Sequence, residues 1–397
     1  MRSILLCALA ALTAPLLASA APADTARALE TIRQHAAAAH SDAVLIQRGD
    51  KTLLDTSTAQ GAKPIEMMSA TKSVVALAIG FLIQDGKLRS IDEPVSAIYP
   101  EWAQGKKRGI TVRMLLDHTS GLQNVPNAGA ELEPAPDLVK IALAAELDNP
   151  PGTTFSYNNK ATNLLSGIVQ TLSGQPMDRY LETKLFAPLG ITEFSWLKDK
   201  AGQATGMAGL SLRAHDIAKI GRLLLNDGVA PDGRRLLSRE YVGLLTAPSQ
   251  HSPEVGLLWW RIPAWERYTL RADAAAILDG KGLAADMRAA FLSTAGQNFA
   301  SRAEVLAYVA GKIGPSWQER FGPEVIGKGV KLAELFDIER GPIEGYAANG
   351  YLGQFLLIVP GKDLVAVRQI RRTDQHVSPR DDYPDFFRDV LALGKTL

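Results

Sequence analysis

The segment from Ala70 to Gln84 is apolar on nearly every helical face, because Val, Ala, Leu and Ile make up most of it. A helix that is apolar all round must be buried, so this pattern predicts a central helix, which Gly86 is expected to end. Such a helix needs a large core around it. The chain has 397 residues, of which 46% are hydrophobic and 21% charged, and this suffices for one large domain or two moderate ones.

Ser69 immediately precedes this helix, and Lys72 follows one helical turn later on the same face. A serine hydroxyl becomes a strong nucleophile only when a neighbouring base accepts its proton. Burial without a counter-charge lowers the pKa of a lysine, so a neutral amine that can act as this base becomes accessible near neutral pH. Backbone N–H groups at the helix N-terminus also favour developing negative charge. The pair therefore indicates nucleophilic catalysis.

The Ser-x-x-Lys pattern occurs a second time, from Ser195 to Lys198, so the pattern alone does not identify an active site. The second copy follows a Pro-Leu-Gly break at residues 188–190 and has no apolar helix to bury it. We therefore interpret Ser195 as a surface residue and Ser69 as the candidate nucleophile, which needs supporting residues elsewhere in the chain.

Strand-like segments lie near both ends of the chain. Residues 43–47 and 52–54 flank an Arg-Gly-Asp-Lys turn, and residues 354–359 and 364–368 flank a Pro-Gly-Lys-Asp turn, so two β-hairpins are predicted. Helical periodicity dominates between them. We predict an α+β fold in which the hairpins share one central antiparallel sheet flanked by helices, with a mainly helical region inserted in the middle.

The middle of the chain divides into helical and irregular segments. Helices are predicted at 111–116, 138–147 and 160–184, then from Ile217 to Leu225 with Asp216 as N-cap, and finally at 384–393. Residues 123–137, rich in Pro, Gly and Asn, are expected to form a loop. The charged residues 268–340 contain helical patches and are interpreted as an insertion.

The first residues have the three parts of an export signal. Arg2 precedes an apolar run from Ile4 to Leu17, and the small residues 18–20 follow, so cleavage is expected after Ala20. A membrane-spanning helix needs about 20 apolar residues, and this run is shorter and interrupted by Pro15. We expect a periplasmic or secreted protein without a stable membrane anchor.

Composition argues against several classes of cofactor and partner. The single cysteine, Cys7, lies in the export signal, so the mature chain has no thiol nucleophile or thiolate ligand. The six histidines lack metal-ligand spacing, and His118 is interpreted as a structural turn residue. A net charge of +1 offers no attraction for nucleic acid. We expect no metal or cofactor, no nucleic acid partner, and a small-molecule substrate.

Two later segments contain residues that suit acyl transfer. Tyr157 and Asn159 follow a Pro-Gly turn, where a tyrosine hydroxyl could relay a proton and an asparagine amide could contact a substrate or Lys72. Gly350 and Tyr351 begin a glycine-rich entry into the last hairpin, where a strand-edge N–H could stabilise an oxyanion. Each segment alone also fits a plain turn.

In this order the three motifs resemble those of the serine β-lactamase and penicillin-binding protein superfamily, and residues 110–122 resemble its segment between the first two. The chain looks most like the class C/esterase-type branch, and within it the 6-aminohexanoate-dimer (nylon oligomer) hydrolases. The resemblance implies Ser69 as nucleophile, Lys72 as its base and Tyr157 as the proton relay, so that Tyr157 takes the serine proton with the help of Lys72. It also implies Asn159 as a substrate or Lys72 contact, and the N–H groups of Ser69 and Tyr351 as the oxyanion hole.

The implied domain organisation is an export signal at 1–20 and one hydrolase domain at 21–397. Its α/β part is expected at about 25–85 and 340–397, its helical part at about 86–265 and the insertion at about 268–340. The implied activity is hydrolysis of a small ester or amide through an acyl-enzyme, with a small ester, amide or peptide-like substrate.

One position departs from the family pattern. β-Lactamases and carboxypeptidases have a lysine or histidine on the last motif, where this chain has Ala348. This departure disfavours, but leaves open, a β-lactamase or D-alanyl-D-alanine carboxypeptidase. A non-catalytic ligand-binding or sensor module on the same fold is a further alternative.

Overall fold

The structure is a computed structural model that describes residues 22–125, 131–132, 135–373 and 382–397. The predicted export signal and its cleavage point after Ala20 lie outside these residues, as does part of the predicted 123–137 loop. Within the part of the chain that the structure describes, no helix has both the length and the apolar character needed to cross a membrane.

Strands occur near both ends of the chain, and shorter strands lie between them. In chain order they are β1 (Ala43–Arg48), β2 (Lys51–Asp55), β3 (Ile65–Glu66), β4 (Ser195–Trp196), β5 (Leu210–Leu212), β6 (Trp260–Pro263), β7 (Glu266–Leu270), β8 (Asn298–Phe299), β9 (Phe336–Arg340), β10 (Ile343–Gly350), β11 (Gln354–Val359) and β12 (Leu364–Gln369). The main antiparallel sheet has the order β2-β1-β12-β11-β10-β6, so both predicted hairpins form and share one sheet.

Helices cover this sheet and form the bulk of the middle region. Those with both ends among the described residues are α1 (Pro22–Ala38), α2 (Thr71–Gln84), α3 (Val112–Leu116), α4 (Leu138–Ala144), α5 (Asn159–Ser173), α6 (Met177–Leu181), α7 (Ala214–Leu225), α8 (Arg239–Thr246), α9 (Ala274–Lys281), α10 (Ala285–Leu292), α11 (Arg302–Ile313), α12 (Trp317–Arg320), α13 (Leu332–Leu335) and α14 (Phe386–Lys395). The α+β prediction is confirmed.

Successive side chains of β1 point to opposite faces of the sheet and so belong to two different hydrophobic cores. Val44 and Ile46 face a core that α1 and α14 complete, whereas Ala43 and Leu45 face a larger core shared with α2, α5 and α7. Every residue of α2 from Thr71 to Leu82 is buried, as its uniformly apolar sequence predicts. The sheet is therefore the middle of three layers, with α2 buried beside it.

Several predicted boundaries were wrong in detail. Helix α7 begins at Ala214, so Asp216 lies inside the first turn, where it accepts hydrogen bonds from Arg213 and Lys219 instead of capping the helix. The helix predicted at 138–147 ends at Ala144. The helix predicted at 160–184 is interrupted at Gly174, whose φ of 78° ends α5 with a left-handed residue.

The region after residue 260 departs from the predicted division. Strand β6 pairs with β10 at the edge of the main sheet, although its residues fall in the segment assigned to the helical part. The insertion has its own small core and its own antiparallel sheet of β8, β7 and β9, besides the expected helices. Its strands lack a long alternating pattern, so sequence periodicity does not reveal them.

Candidate active site

Ser69 lies in a turn of 3₁₀-helix, Met68–Ala70, that leads directly into α2. The preceding residue, Met68, has a φ of 48°, a left-handed conformation that is uncommon for a residue other than glycine. Ser69 is half-buried and lies in the lining of a cleft. The turn therefore presents the hydroxyl at the surface of the buried helix, as predicted.

Lys72 is buried, and its Nζ donates hydrogen bonds to Ser69 Oγ at 3.0 Å and to the carbonyl oxygen of Met207 at 2.6 Å. Both acceptors are uncharged, so they do little to stabilise an ammonium ion. Burial lowers the pKa of Lys72 from 10.5 to about 7. Near neutral pH a substantial fraction of the amine is therefore neutral and can accept the serine proton.

Tyr157 lines the same cleft, and its ring centroid lies 4.9 Å from Lys72 Nζ. Burial raises the pKa of Tyr157 to about 12, and a hydrogen bond with Ser69 opposes this effect only in part. The phenol is thus protonated near neutral pH. Lys72 and Tyr157 therefore lie close together in the cleft, and their parts in proton transfer remain a prediction.

Gly350 ends β10 directly against the Ser69 turn. A Cβ placed on Gly350 would lie 2.3 Å from the carbonyl oxygen of Met67 and 3.0 Å from the backbone nitrogen of Ala70, so only glycine allows this approach. Tyr351 follows immediately, with its side chain exposed. This placement is compatible with the predicted oxyanion role of its backbone N–H, which remains a prediction.

Asn159, like Gly350 and Tyr351, is not among the residues that line the cleft. It is the first residue of α5, and its carbonyl accepts a hydrogen bond from the hydroxyl of Thr162. The hydrogen bonds of Lys72 given above go to Ser69 and Met207 rather than to Asn159. Its predicted contact with substrate or Lys72 therefore remains a prediction.

Sequence reasoning missed several residues of the cleft. His118, interpreted as a structural turn residue, lines it, as do Val255, Leu258, Trp260 and Asn349. The signal available for His118 is its position in the 110–122 segment that resembles the family. Met207 has no sequence signal, because a backbone carbonyl can hold an amine whatever its side chain is.

One wall of the cleft is held in place by α2 itself. Ser73 donates its hydroxyl proton to the carbonyl oxygen of Leu258 at 2.6 Å, and the indole of Trp259 donates to the carbonyl oxygen of Ser73 at 3.2 Å. Leu258 has a φ of 59°, so this turn is in a left-handed conformation. The residue after Lys72 thus fixes the apolar side of the cleft.

The second Ser-x-x-Lys copy has none of these features. Ser195 is exposed in the short strand β4, and Lys198 forms an ion pair with Asp178 at 2.8 Å. Neither residue belongs to the lining of the cleft described here. The interpretation of this copy as a surface segment agrees with the structure.

A buried lysine beside a serine at the start of a buried helix, on a sheet of this order, defines a serine hydrolase of the β-lactamase type. The model of the Beta-lactamase family matches residues 27–385, most of the chain. The chain therefore belongs to the Beta-lactamase family of serine hydrolases.

Two curated relatives illustrate the range of this family. Penicillin-binding protein 4 of Amycolatopsis lactamdurans is 28% identical over 209 residues, which cover 45% of this chain and 55% of that protein. The 6-aminohexanoate-dimer hydrolase of Paenarthrobacter ureafaciens is 28% identical over 216 residues, which cover 49% of this chain and 54% of that protein. The matches thus span about half the length of these relatives.

Solved structures agree on the fold. A penicillin-binding protein homolog from Caulobacter crescentus has a TM-score of 0.59 at 16% identity, covering 95% of this chain and 98% of that one. A penicillin binding protein from Bacillus halodurans has a TM-score of 0.56 at 16% identity, covering 90% and 98%. At these identities the likeness establishes the fold alone.

Proposed function

We propose that the protein is an exported serine hydrolase that cleaves a small, uncharged ester or amide through an acyl-enzyme on Ser69. The observation that carries this proposal is the 3.0 Å contact between Ser69 Oγ and the buried amine of Lys72. An amine with a pKa of about 7 is a base matched to neutral pH. Membership of a serine hydrolase family supports the same proposal.

In the acylation step, Ser69 Oγ attacks the carbonyl carbon of the substrate while its proton passes to the neutral amine of Lys72. The backbone N–H groups of Ser69 and Tyr351 stabilise the oxyanion. As the bond to the leaving group breaks, the hydroxyl of Tyr157 gives its proton to the leaving oxygen or nitrogen. The ammonium of Lys72 then returns a proton to Tyr157.

In the deacylation step, a water molecule attacks the acyl carbon and gives its proton to the same base. The ester bond to Ser69 breaks, Ser69 Oγ regains a proton, and the acid product leaves. Both steps use one proton acceptor and one oxyanion site.

The lining of the cleft supports an uncharged substrate. Val255, Leu258 and Trp260 supply apolar surface, and Lys72 is the cationic side chain among the lining residues described here. Ala348 stands where related β-lactamases have a cation, and it is buried in the core instead of facing the cleft. One relative is named for hydrolysis of a 6-aminohexanoate dimer, which supports amide cleavage.

A fluorophosphonate probe tests the nucleophile. Wild type and Ser195→Ala are expected to be labelled equally, whereas Ser69→Ala is expected to lose labelling and all turnover of a short-chain nitrophenyl ester. Ser195→Ala is a matched control because it removes the serine of the other Ser-x-x-Lys copy. Unchanged labelling of Ser69→Ala would end the proposal.

A second candidate function, β-lactam or D-alanyl-peptide hydrolysis, is favoured by the penicillin-binding relatives. A chromogenic cephalosporin distinguishes the two candidates. Cephalosporin turnover with a kcat/KM equal to or above that of the nitrophenyl ester would favour the second function. Ester turnover with little cephalosporin turnover is the result that the buried Ala348 leads us to expect.

A further inference from the structure

His118 binds the backbone on both sides of Tyr157. Its carbonyl oxygen accepts a hydrogen bond from the N–H of Ser156 at 2.8 Å. Its ring nitrogen Nδ1 accepts another from the N–H of Asn158 at 3.2 Å. The residues before and after Tyr157 are thus held by a single residue that lies about forty positions earlier in the chain.

The imidazole also packs against the Tyr157 side chain. The two ring centroids lie 4.7 Å apart with an interplanar angle of 46°, and the ring centroid of Phe155 lies 5.9 Å from that of the imidazole. His118 is buried and lines the cleft together with Ser69 and Tyr157. Its contacts therefore reach both the backbone and the ring of the proposed proton donor.

The hydrogen bond from Asn158 determines the tautomer of the ring. A nitrogen that accepts an N–H cannot carry a proton itself, so the neutral imidazole carries its proton on Nε2. Burial, and secondarily the charge of Lys72, lower the pKa of His118 to about 3. The adjacent Asp117 is directed to Thr119 and Ser249 instead of the imidazole. The ring thus stays neutral beside Lys72.

His118 also has a φ of 60°, so its backbone lies in the left-handed region. Few residues other than glycine adopt this conformation readily, and histidine, asparagine and aspartate are the most tolerant among them. The left-handed turn directs the carbonyl oxygen and the ring of one residue to the same neighbouring segment. An apolar residue here would lack the ring acceptor and fit the turn less well.

We infer that His118 is a positioning residue, which holds Tyr157 in place by a hydrogen bond on each side of it and by ring contact. This inference rests on the proposed function, because it assumes that the hydroxyl of Tyr157 passes a proton to the leaving group. In this role His118 acts through Tyr157 and does not itself exchange protons with the substrate.

The test compares His118→Ala with His118→Asn in steady-state ester hydrolysis. Alanine removes the ring acceptor, whereas asparagine tolerates the left-handed turn and can place Oδ1 where Nδ1 lies. Displacing a catalytic group by about 1 Å can cost 10²-fold in rate. We expect kcat of His118→Ala to fall about 10²-fold with little change in KM, and His118→Asn to recover most of that loss.

His215→Asn is the matched control, because His215 is exposed and pairs with Asp55 on the surface; wild-type kinetics are expected. Melting temperatures establish that each variant is folded. If His118→Ala does not fold, His118→Asn and the spectroscopic measurement below decide the question. Wild-type kcat in folded His118→Ala, or an equal loss in both His118 variants, overturns the inference.

A measurement independent of activity separates this inference from the proposed function. Nitrogen-15 NMR of histidine-labelled protein, with His118 assigned by its absence in His118→Asn, is expected to show a neutral ring protonated at Nε2 between pH 4 and pH 8. A ring protonated at Nδ1 overturns the inference even if the enzyme is active. An inactive wild type with the expected tautomer would instead contradict the proposed function alone.

Discussion

The amine of Lys72 donates a hydrogen bond to the backbone carbonyl of Met207, a residue 135 positions later in the chain, at 2.6 Å. A carbonyl holds the amine in place without supplying the negative charge that a carboxylate would supply. The lysine is therefore oriented toward Ser69 while burial keeps its pKa near 7. Orientation and basicity at this site thus have separate structural causes.

The first prediction concerns the pH dependence of activity. Protonated Lys72 cannot accept the serine proton, so kcat/KM is expected to fall about tenfold per pH unit below pH 7 and to reach a plateau above pH 8. The raised pKa of Tyr157, about 12, predicts no loss from its ionisation up to pH 10. Steady-state ester hydrolysis from pH 5 to pH 9.5 measures this profile. Equal rates at pH 5 and pH 8 would contradict it, and Lys198→Met should leave the profile unchanged.

The second prediction concerns stability. In the folded chain the pKa of Lys72 is lowered from 10.5 to about 7, so between these pH values the unfolded chain binds more protons. Wild-type stability from this group therefore rises with pH across that window. Lys72→Met should be inactive but more stable at pH 7, by up to about 5 kcal/mol, since one pKa unit corresponds to about 1.4 kcal/mol.

Urea unfolding at pH values from 6 to 10 measures this difference. The gain of Lys72→Met over wild type should be greatest at and below pH 7 and should shrink toward pH 10. Lys331→Met, which removes an amine from a surface ion pair with Glu334, should show no such trend. A gain that is the same at every pH would show that packing, rather than the charge, is responsible.

The third prediction concerns the end of β10. Gly350→Ala would place a methyl group 2.3 Å from the carbonyl oxygen of Met67 and so push the Tyr351 segment away from Ser69. Losing one oxyanion donor typically costs 10²- to 10³-fold in kcat, and a loss of about 10²-fold is expected here. Gly361→Ala, in the turn between β11 and β12, meets no atom within 4 Å and is the control. Equal activity of the two folded variants would argue against an oxyanion role for this segment.

The fourth prediction concerns Arg368, which is fully buried in β12. Its guanidinium donates to the carbonyl oxygens of Leu352 and Gly353, just after the proposed oxyanion segment, and to Ala39 at 2.8 Å. Arg368→Met leaves these buried acceptors without their donor, so we expect a loss of about 3 kcal/mol in the free energy of unfolding.

Because the Tyr351–Gly353 turn loses this support, kcat of Arg368→Met should fall as well. Chemical denaturation and ester kinetics on the same preparation measure both effects. Arg234→Met removes an exposed arginine that bonds mainly to Asp232, and it should change neither quantity. A stability loss without any change in kcat would mean that Arg368 supports the sheet and not the site.

Local sequence patterns determined much of this protein. Uniform apolarity predicted that α2 is buried, and the spacing of Ser69 and Lys72 predicted that the two groups lie side by side at the start of this helix. Turn residues between alternating segments predicted both hairpins. These features depend on residues within a few positions of each other, and helix and strand periodicity report such relationships directly.

Only the tertiary structure decided how distant segments complete the site. The carbonyl of Met207 beside Lys72, the bonds from His118 on both sides of Tyr157, and β6 at the edge of the main sheet join residues far apart in the chain. Backbone carbonyls and N–H groups are the same in every residue, so a sequence pattern does not mark which of them will meet. The Ser69–Lys72 pair was therefore readable from the sequence, whereas the contacts that orient it follow from the packing of the whole chain.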